Sequence, residues 1–192
     1  MKNGLALFLG VFAILGLSWA GMLLAAHKQL GSLSQFKDPV DEVLHPQPLS
    51  GLAAQGQLVY QDLGCVTCHT QQVRREGFGT DVERKWGARG SYARDYIRDG
   101  VVLIGHSRAG PDLRNAGSTE LRPYANAEYF YQLLYAPQSI AKGTNMPAYP
   151  FLFEVRATTG AQPSPKALKL TSQFAPAAGF EVVPTPRADA LV

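Results

Sequence analysis

The longest feature in the hydropathy pattern stands at the start of the chain, where the 23 residues from Gly4 to Ala26 carry no charge. As a helix, a run of that length crosses a hydrocarbon core of about 30 Å. A signal peptide shares the opening, a basic residue (Lys2) followed by apolar residues, but its apolar core spans only about 7–15 residues. The greater length, and a poor small-residue cleavage pattern at Ala25-Ala26, favour an uncleaved anchor, and residues 1–28 are read as a single transmembrane helix. Ala6, Gly10, Ala13, Ala20 and Gly21 recur at near-helical spacing and give one side small residues, against which another membrane helix can pack closely.

Past the anchor the pattern turns polar. Residues 29–51 hold Pro39, Pro46 and Pro48 with an acidic group of Asp38, Asp41 and Glu42. Proline at that density favours an extended spacer that holds the domain after it just off the membrane. From Leu52 to about Gly64 a helical period sets in, with Leu52, Gln55-Gly56, Val59-Tyr60 and Leu63 on one face and Gly64 as the stop. Residues 70–110 show no sustained period and predict a long connection with a short helix near residues 93–99, a loop that something bulky must order. Asn126 is an N-cap for a helix through Tyr135, halted at Ala136-Pro137. Its Tyr129, Phe130, Tyr131 and Tyr135 are expected in the core. No internal repeat is visible.

Composition narrows the partners. The 192 residues suffice for one ordinary domain plus extras, and 18 Lys and Arg against 15 Asp and Glu leave a net charge of +3, too small to argue for nucleic acid. The chemistry lies in Cys65-Val66-Thr67-Cys68-His69, because C-x-x-C-H is the attachment sequence of a c-type haem. Two thiols three positions apart each add to a vinyl group on one porphyrin edge, and the adjacent histidine meets the iron. A structural zinc site wants two such pairs, whereas these are the only two cysteines. A thioredoxin-like C-x-x-C opens a helix after a strand, and the surroundings here are rich in Gly, Arg and Gln without strand-like apolar runs. A disulfide across two intervening residues is strained. Covalent haem also orients the chain, since it is attached outside the bacterial inner membrane. The domain then faces the periplasm, with Lys2 inside and Trp19 toward the outer interface.

Electron transfer calls for a sixth iron ligand, usually Met or His, with Met raising the reduction potential. Met1 and Met22 lie in or before the anchor, which leaves Met146. It sits in Gly143-Thr144-Asn145-Met146-Pro147-Ala148-Tyr149-Pro150, where prolines stiffen a turn. A lone Met otherwise fills core gaps. His106 stands in reserve, and His45 lies in the Pro-flanked connector. An iron-bound imidazole normally donates its other N–H to a fixed acceptor, and the carbonyl of Pro111 in the Gly110-Pro111 turn is the candidate. Arg108 either pairs with a haem propionate through two parallel hydrogen bonds or is a solvated surface residue.

Four segments together resemble a known family: Gly64 to Arg74 around the haem motif, Glu83-Arg84-Lys85-Trp86-Gly87, Arg108-Ala109-Gly110-Pro111-Asp112-Leu113, and Asn145 to Leu152. In order and spacing they are similar to subunit II of cbb3-type cytochrome c oxidases, the membrane-anchored mono-haem FixO or CcoO type, from about Leu52 to Glu154. The resemblance implies an all-α fold with a single N-terminal transmembrane helix followed by a cytochrome c-like mono-haem domain with long loops. The implied division is residues 1–28 anchor, 29–51 Pro-rich linker, 52–155 haem c domain, and 156–192 C-terminal extension with the start of a closing helix. It also implies a haem c bound by Cys65 and Cys68, with His69 and Met146 axial, Pro111 orienting His69, and Arg108 facing a propionate.

Electrons would pass toward a haem-copper catalytic subunit that reduces O2, with no catalysis by this chain itself. A further cytochrome c subunit and a soluble donor cytochrome are the other implied partners. His106 has no assigned role in the family, and after Phe153 the sequence diverges into Thr158-Thr159-Gly160, Pro163, Pro165 and the stretch from Gly179 to Val183. Thr185-Pro186 then reads as an N-cap followed by proline at the first helical position. Cytochrome c domains close with a helix crossing the first one, near Gly56 and Tyr60 here, so the expectation is a chain continuing beyond Val192 or an abbreviated closing helix. The alternatives are the small cytochrome subunit of a nitric oxide reductase-like complex, a free membrane-tethered carrier, and a haem enzyme or gas sensor with an open iron position.

Overall fold

The computed structural model describes residues 3–39, 42–49, 51–158, 162–171 and 173–192. Met1, Lys2, Asp41, Thr159 and Gly160 lie outside them. The chain divides into two units, Met1–Pro48 with Tyr92–Asp99, and Leu49–Ser91 with Gly100–Val192.

In the first unit, α1 (Gly4–Trp19), a π-helical stretch (Ala20–Leu24) and α2 (Ala25–Leu30) form one helix of 27 residues, with a mean hydropathy of 2.2 over its most apolar window and none of that window buried. Side chains such as Leu17, 73% exposed, stand free of any protein core. A helix that is apolar all round and solvated by nothing of its own suits lipid rather than water. The helix is long and apolar enough to cross a membrane. Within the proline-rich segment, β1 (Phe36–Lys37) and β2 (Leu44–His45) pair antiparallel with Phe36 opposite His45. The short helix expected over residues 93–99 is a single 3-10 turn, Ala93–Tyr96.

The second unit begins with α3 (Gly51–Asp62), which buries Gly56, Val59 and Tyr60 on the face that the helical period marked. A 3-10 turn over Cys65–Thr67 follows. Next comes α4 (Ala127–Tyr135), where the Asn126 side chain accepts a hydrogen bond from Tyr129 N at 2.9 Å and so satisfies one otherwise unpaired donor of the first turn. Pro137 ends α4 and opens α5 (Pro137–Ile140). A second 3-10 turn, Pro150–Leu152, leads into β3 (Phe153–Ala157), which pairs antiparallel with β4 (Phe180–Pro184), Arg156 opposite Glu181. The last element is α6 (Pro186–Leu191), capped by Thr185, with Pro186 in its first turn.

The all-α expectation therefore needs correction. The segment around Gly179 to Val183 is the second strand of a hairpin, because β-branched Val182 and Val183 bury against the core while a directly opposed ion pair, Arg156 Nε to Glu181 Oε1 at 2.8 Å, fastens its register. β-branched residues favour strand here, and cross-strand pairs of opposite charge support it.

Val59, Leu134, Leu152, Phe153, Val182 and Ala188 form the core, with Met146 and Tyr149 packed against it. Tyr135 and Phe153 meet edge to face with ring centroids 5.3 Å apart, a favoured arrangement of aromatic quadrupoles. The closing helix α6 lies against α3 at Gly56, where any side chain would overlap the carbonyl oxygen of Ala190. It is six residues long, and it crosses α3 where the resemblance placed it. Tyr131 Oη donates to Asp189 Oδ1 at 2.8 Å and ties α4 to the same helix.

Candidate functional site

The site is built where α3 ends. Gly64, at φ +70, takes the left-handed conformation that stops the helix and turns the chain, a geometry glycine adopts without steric cost. The next residues wind into one tight turn, with Cys68 N and His69 N both donating to Cys65 O at 3.2 and 2.9 Å. This brings Cys65, Cys68 and His69 onto one short arc. Neither cysteine is in a disulfide, Cys65 being half-buried and Cys68 exposed. Burial pushes the Cys65 thiol up in pKa, a main-chain hydrogen bond opposes this, and Cys68 adds to the rise, so the group stays a neutral thiol near neutral pH.

A second segment, residues 104–114, is laced to this arc by main-chain hydrogen bonds. Gln71 N donates to Ile104 O at 3.0 Å, His106 N to Val66 O at 3.1 Å, Gly110 N to Cys68 O at 2.9 Å and Leu113 N to Thr70 O at 2.8 Å. Their result is the central contact of the site: His69 Nδ1 lies 2.8 Å from the carbonyl oxygen of Pro111. A carbonyl can only accept, so Nδ1 donates, and in the neutral ring Nε2 is the nitrogen that keeps its lone pair. At Gly110 a side chain would run into the His69 ring itself, and the absence of a Cβ lets the turn lie flat against the imidazole.

Two buried carboxylates secure these loops. Asp81 is fully buried and receives Arg74 N at 2.7 Å, Arg74 Nη2 at 2.9 Å and Arg108 Nη1 at 2.6 Å. Burial alone would raise its pKa, but the hydrogen bonds from Arg74 and Arg108 overcome that and hold the carboxyl below its usual range. Asp112, also fully buried, receives Thr70 Oγ1 at 2.6 Å and Gln72 N at 2.7 Å. Arg108 thus has one edge on Asp81 and the carbonyl of Gln72, the latter at 2.5 Å, with its side chain 21% exposed.

Met146 is half-buried in the turn that packs on the core, its N–H directed at Thr144 Oγ1 at 3.2 Å. In the same turn, burial first, and then Cys65 and Cys68, raise the pKa of the Tyr149 phenol. Tyr60, from α3, also has its hydroxyl buried. Burial, then Cys65, push its pKa up to about 12. His106 is exposed and contributes its main-chain N–H, and His45 lies in the first unit beside Phe36.

These donors fit a c-type haem. Two free thiols sit one turn apart, and an imidazole is held in the tautomer that leaves Nε2 unprotonated. The zinc alternative lacks its donor set, since no cluster of three or more His, Cys, Asp or Glu side chains suited to a metal ion occurs among the described residues. The thiol-redox alternative lacks its setting, because the motif follows a helix and forms one 3-10 turn. Sequence reasoning passed over Asp81 altogether and quoted Thr70 and Asp112 only as parts of motifs. A buried acid beside a Gly-Pro turn was the available signal for Asp112, and Asp81 offered none.

Comparison with known proteins brings the geometry into a family. The family model described as "Cytochrome C oxidase, mono-heme subunit/FixO" matches residues 5–175, which includes the apolar helix and the whole thiol and histidine arc. No curated protein matches the chain.

Proposed function

Because this chain belongs to the FixO family, the mono-haem subunit of cbb3-type cytochrome c oxidases, we propose that it carries electrons through one covalent haem c toward the haem-copper catalytic subunit that reduces O2. The observation that carries the proposal is the His69 Nδ1 to Pro111 carbonyl contact at 2.8 Å, which readies Nε2 as a metal ligand. Bound there, the haem supplies a one-electron couple. Cys65 and Cys68 would hold it covalently, His69 and Met146 would ligate the iron, and the Pro111 carbonyl keeps the imidazole in orientation. Arg108, already anchored on Asp81, offers its remaining exposed edge to a propionate.

Ligation by Met146 would close the iron to exogenous ligands, which suits a carrier. The apolar helix serves as a single membrane anchor, with the haem domain on the periplasmic side, where c-type haem is attached.

A pyridine haemochrome spectrum of the purified chain is expected to show one covalent haem c, and copurification is expected to bring down a multi-helix haem-copper subunit. Met146→Ala should lose the methionine-to-iron charge-transfer band and bind CO in the reduced state. Ready CO binding by the wild-type domain would instead favour a sensor or enzyme with an open iron.

A further inference from the structure

A single imidazole-to-carbonyl hydrogen bond between two loops is only as fixed as the loops that carry its ends. Here the His69 end continues into Thr70 and Gln72, the Pro111 end into Asp112, and these neighbours are bonded to each other. We propose that Asp112 is a positioning residue whose carboxylate fastens the segment after His69 to the Pro111 turn and thereby fixes the His69 to Pro111 hydrogen bond. The inference rests on the haem-binding role proposed for His69.

The contacts are specific in origin. Oδ2 of Asp112 accepts Thr70 Oγ1 at 2.6 Å and Gln72 N at 2.7 Å, both from the segment that leaves His69. Oδ1 accepts Arg114 N at 3.0 Å, and the Asp112 carbonyl accepts Arg122 Nη2 at 2.7 Å. Arg108 Nη2 stands 4.0 Å from Oδ2. Thr70, Asp112 and Arg122 are all buried, so water cannot replace a lost partner, and each bond matters more than it would at the surface. Pro111 has no N–H, and the main-chain bonds of this turn skip over it, from Gly110 to Cys68 and from Leu113 to Thr70. Asp112 bridges that gap.

Asparagine cannot substitute. Either orientation of the amide turns an NH2 toward a donor, Arg114 N on one side or the Thr70 and Gln72 donors on the other. Thr70→Val removes one donor and leaves the carboxylate, which separates positioning from the charge of Asp112. A loosened Nδ1–H contact makes the imidazole a poorer electron donor to iron, so the oxidised state loses stabilisation and the reduction potential rises.

The test uses the full-length haem-loaded chain and reads the solvent exchange of the His69 Nδ1–H by NMR together with the reduction potential. Thr70→Val and Asp112→Asn are expected to speed that exchange roughly tenfold or more, the equivalent of one buried hydrogen bond, and to raise the potential, while Thr70→Ser restores wild-type values. Wild-type exchange and potential in haem-loaded Thr70→Val and Asp112→Asn would overturn the proposal, as would Thr70→Ser behaving like Thr70→Val. If Asp112→Asn does not accumulate as folded protein, the Thr70 pair decides. If the wild-type chain carries no covalent haem, the proposed function fails instead, and Nδ1–H exchange in the same variants still decides whether Asp112 and Thr70 hold the imidazole.

Discussion

Gly110 is the residue on which the geometry around His69 depends most directly. A Cβ at that position would overlap the imidazole ring, so Gly110→Ala has to push the ring or the turn aside. Overpacking of this kind costs about 2 kcal/mol, and here it also displaces the imidazole. The expected outcome is a folded chain with a lowered melting temperature and reduced haem loading, checked by calorimetry and by the ratio of haem to protein absorbance. Asp81 carries a different prediction. Its pKa is depressed in the folded state, so its contribution is present above the unfolded carboxylate value of about 3.9 and is lost as pH falls through the lower folded value. Asp81→Asn should therefore be less stable than wild type at neutral pH and show a flatter loss of stability below about pH 4. Urea titrations at pH 7 and pH 3 measure both, and equal acid slopes would count against the ion pair. At this scale the thiol and histidine motif was legible, since C-x-x-C-H is a local pattern. Asp81 and Thr70 were not, because a carboxylate or hydroxyl becomes structural only when a distant segment supplies its partner.

Among the elements, α3 and α4 were readable from their periodicity and caps, and the caps themselves are testable. Thr185 Oγ1 accepts from Ala188 N at 3.4 Å and donates to Leu152 O at 2.8 Å, so it serves both α6 and the turn before β3. Thr185→Ala should cost about 1 kcal/mol or somewhat more, seen as a lower urea midpoint. Gly56→Ala should do greater damage, because the Ala190 carbonyl stands where its Cβ would go. The loss is expected as undocking of α6, with faster amide exchange over residues 186–192. The strands were missed for a physical reason. β3 and β4 are five residues each, and a segment as short as Gly179 to Val183 has no periodicity strong enough to separate strand from loop. Only pairing across the hairpin, with Arg156 facing Glu181, makes it a sheet.

For the whole molecule, the apolar helix and the thiol and histidine arc make opposite demands on solvent. The helix Gly4–Leu30 leaves its apolar side chains without protein cover, while the second unit has a core of its own. The full chain is expected to stay with the membrane through alkaline carbonate washing and to be released by detergent; release by carbonate alone would argue against an anchor. The sequence by itself determined that helix, the C-x-x-C-H motif and the family, because hydropathy over 23 residues and a five-residue motif are local properties that need no partner. The Gly110-Pro111 turn also suggested the carbonyl that His69 meets, but tertiary structure alone decided what fastens the two loops together. The Asp112 carboxylate and the Asp81 ion pairs join residues that are 7 to 42 positions apart in the chain, and a contact between distant residues leaves no periodic trace in either segment.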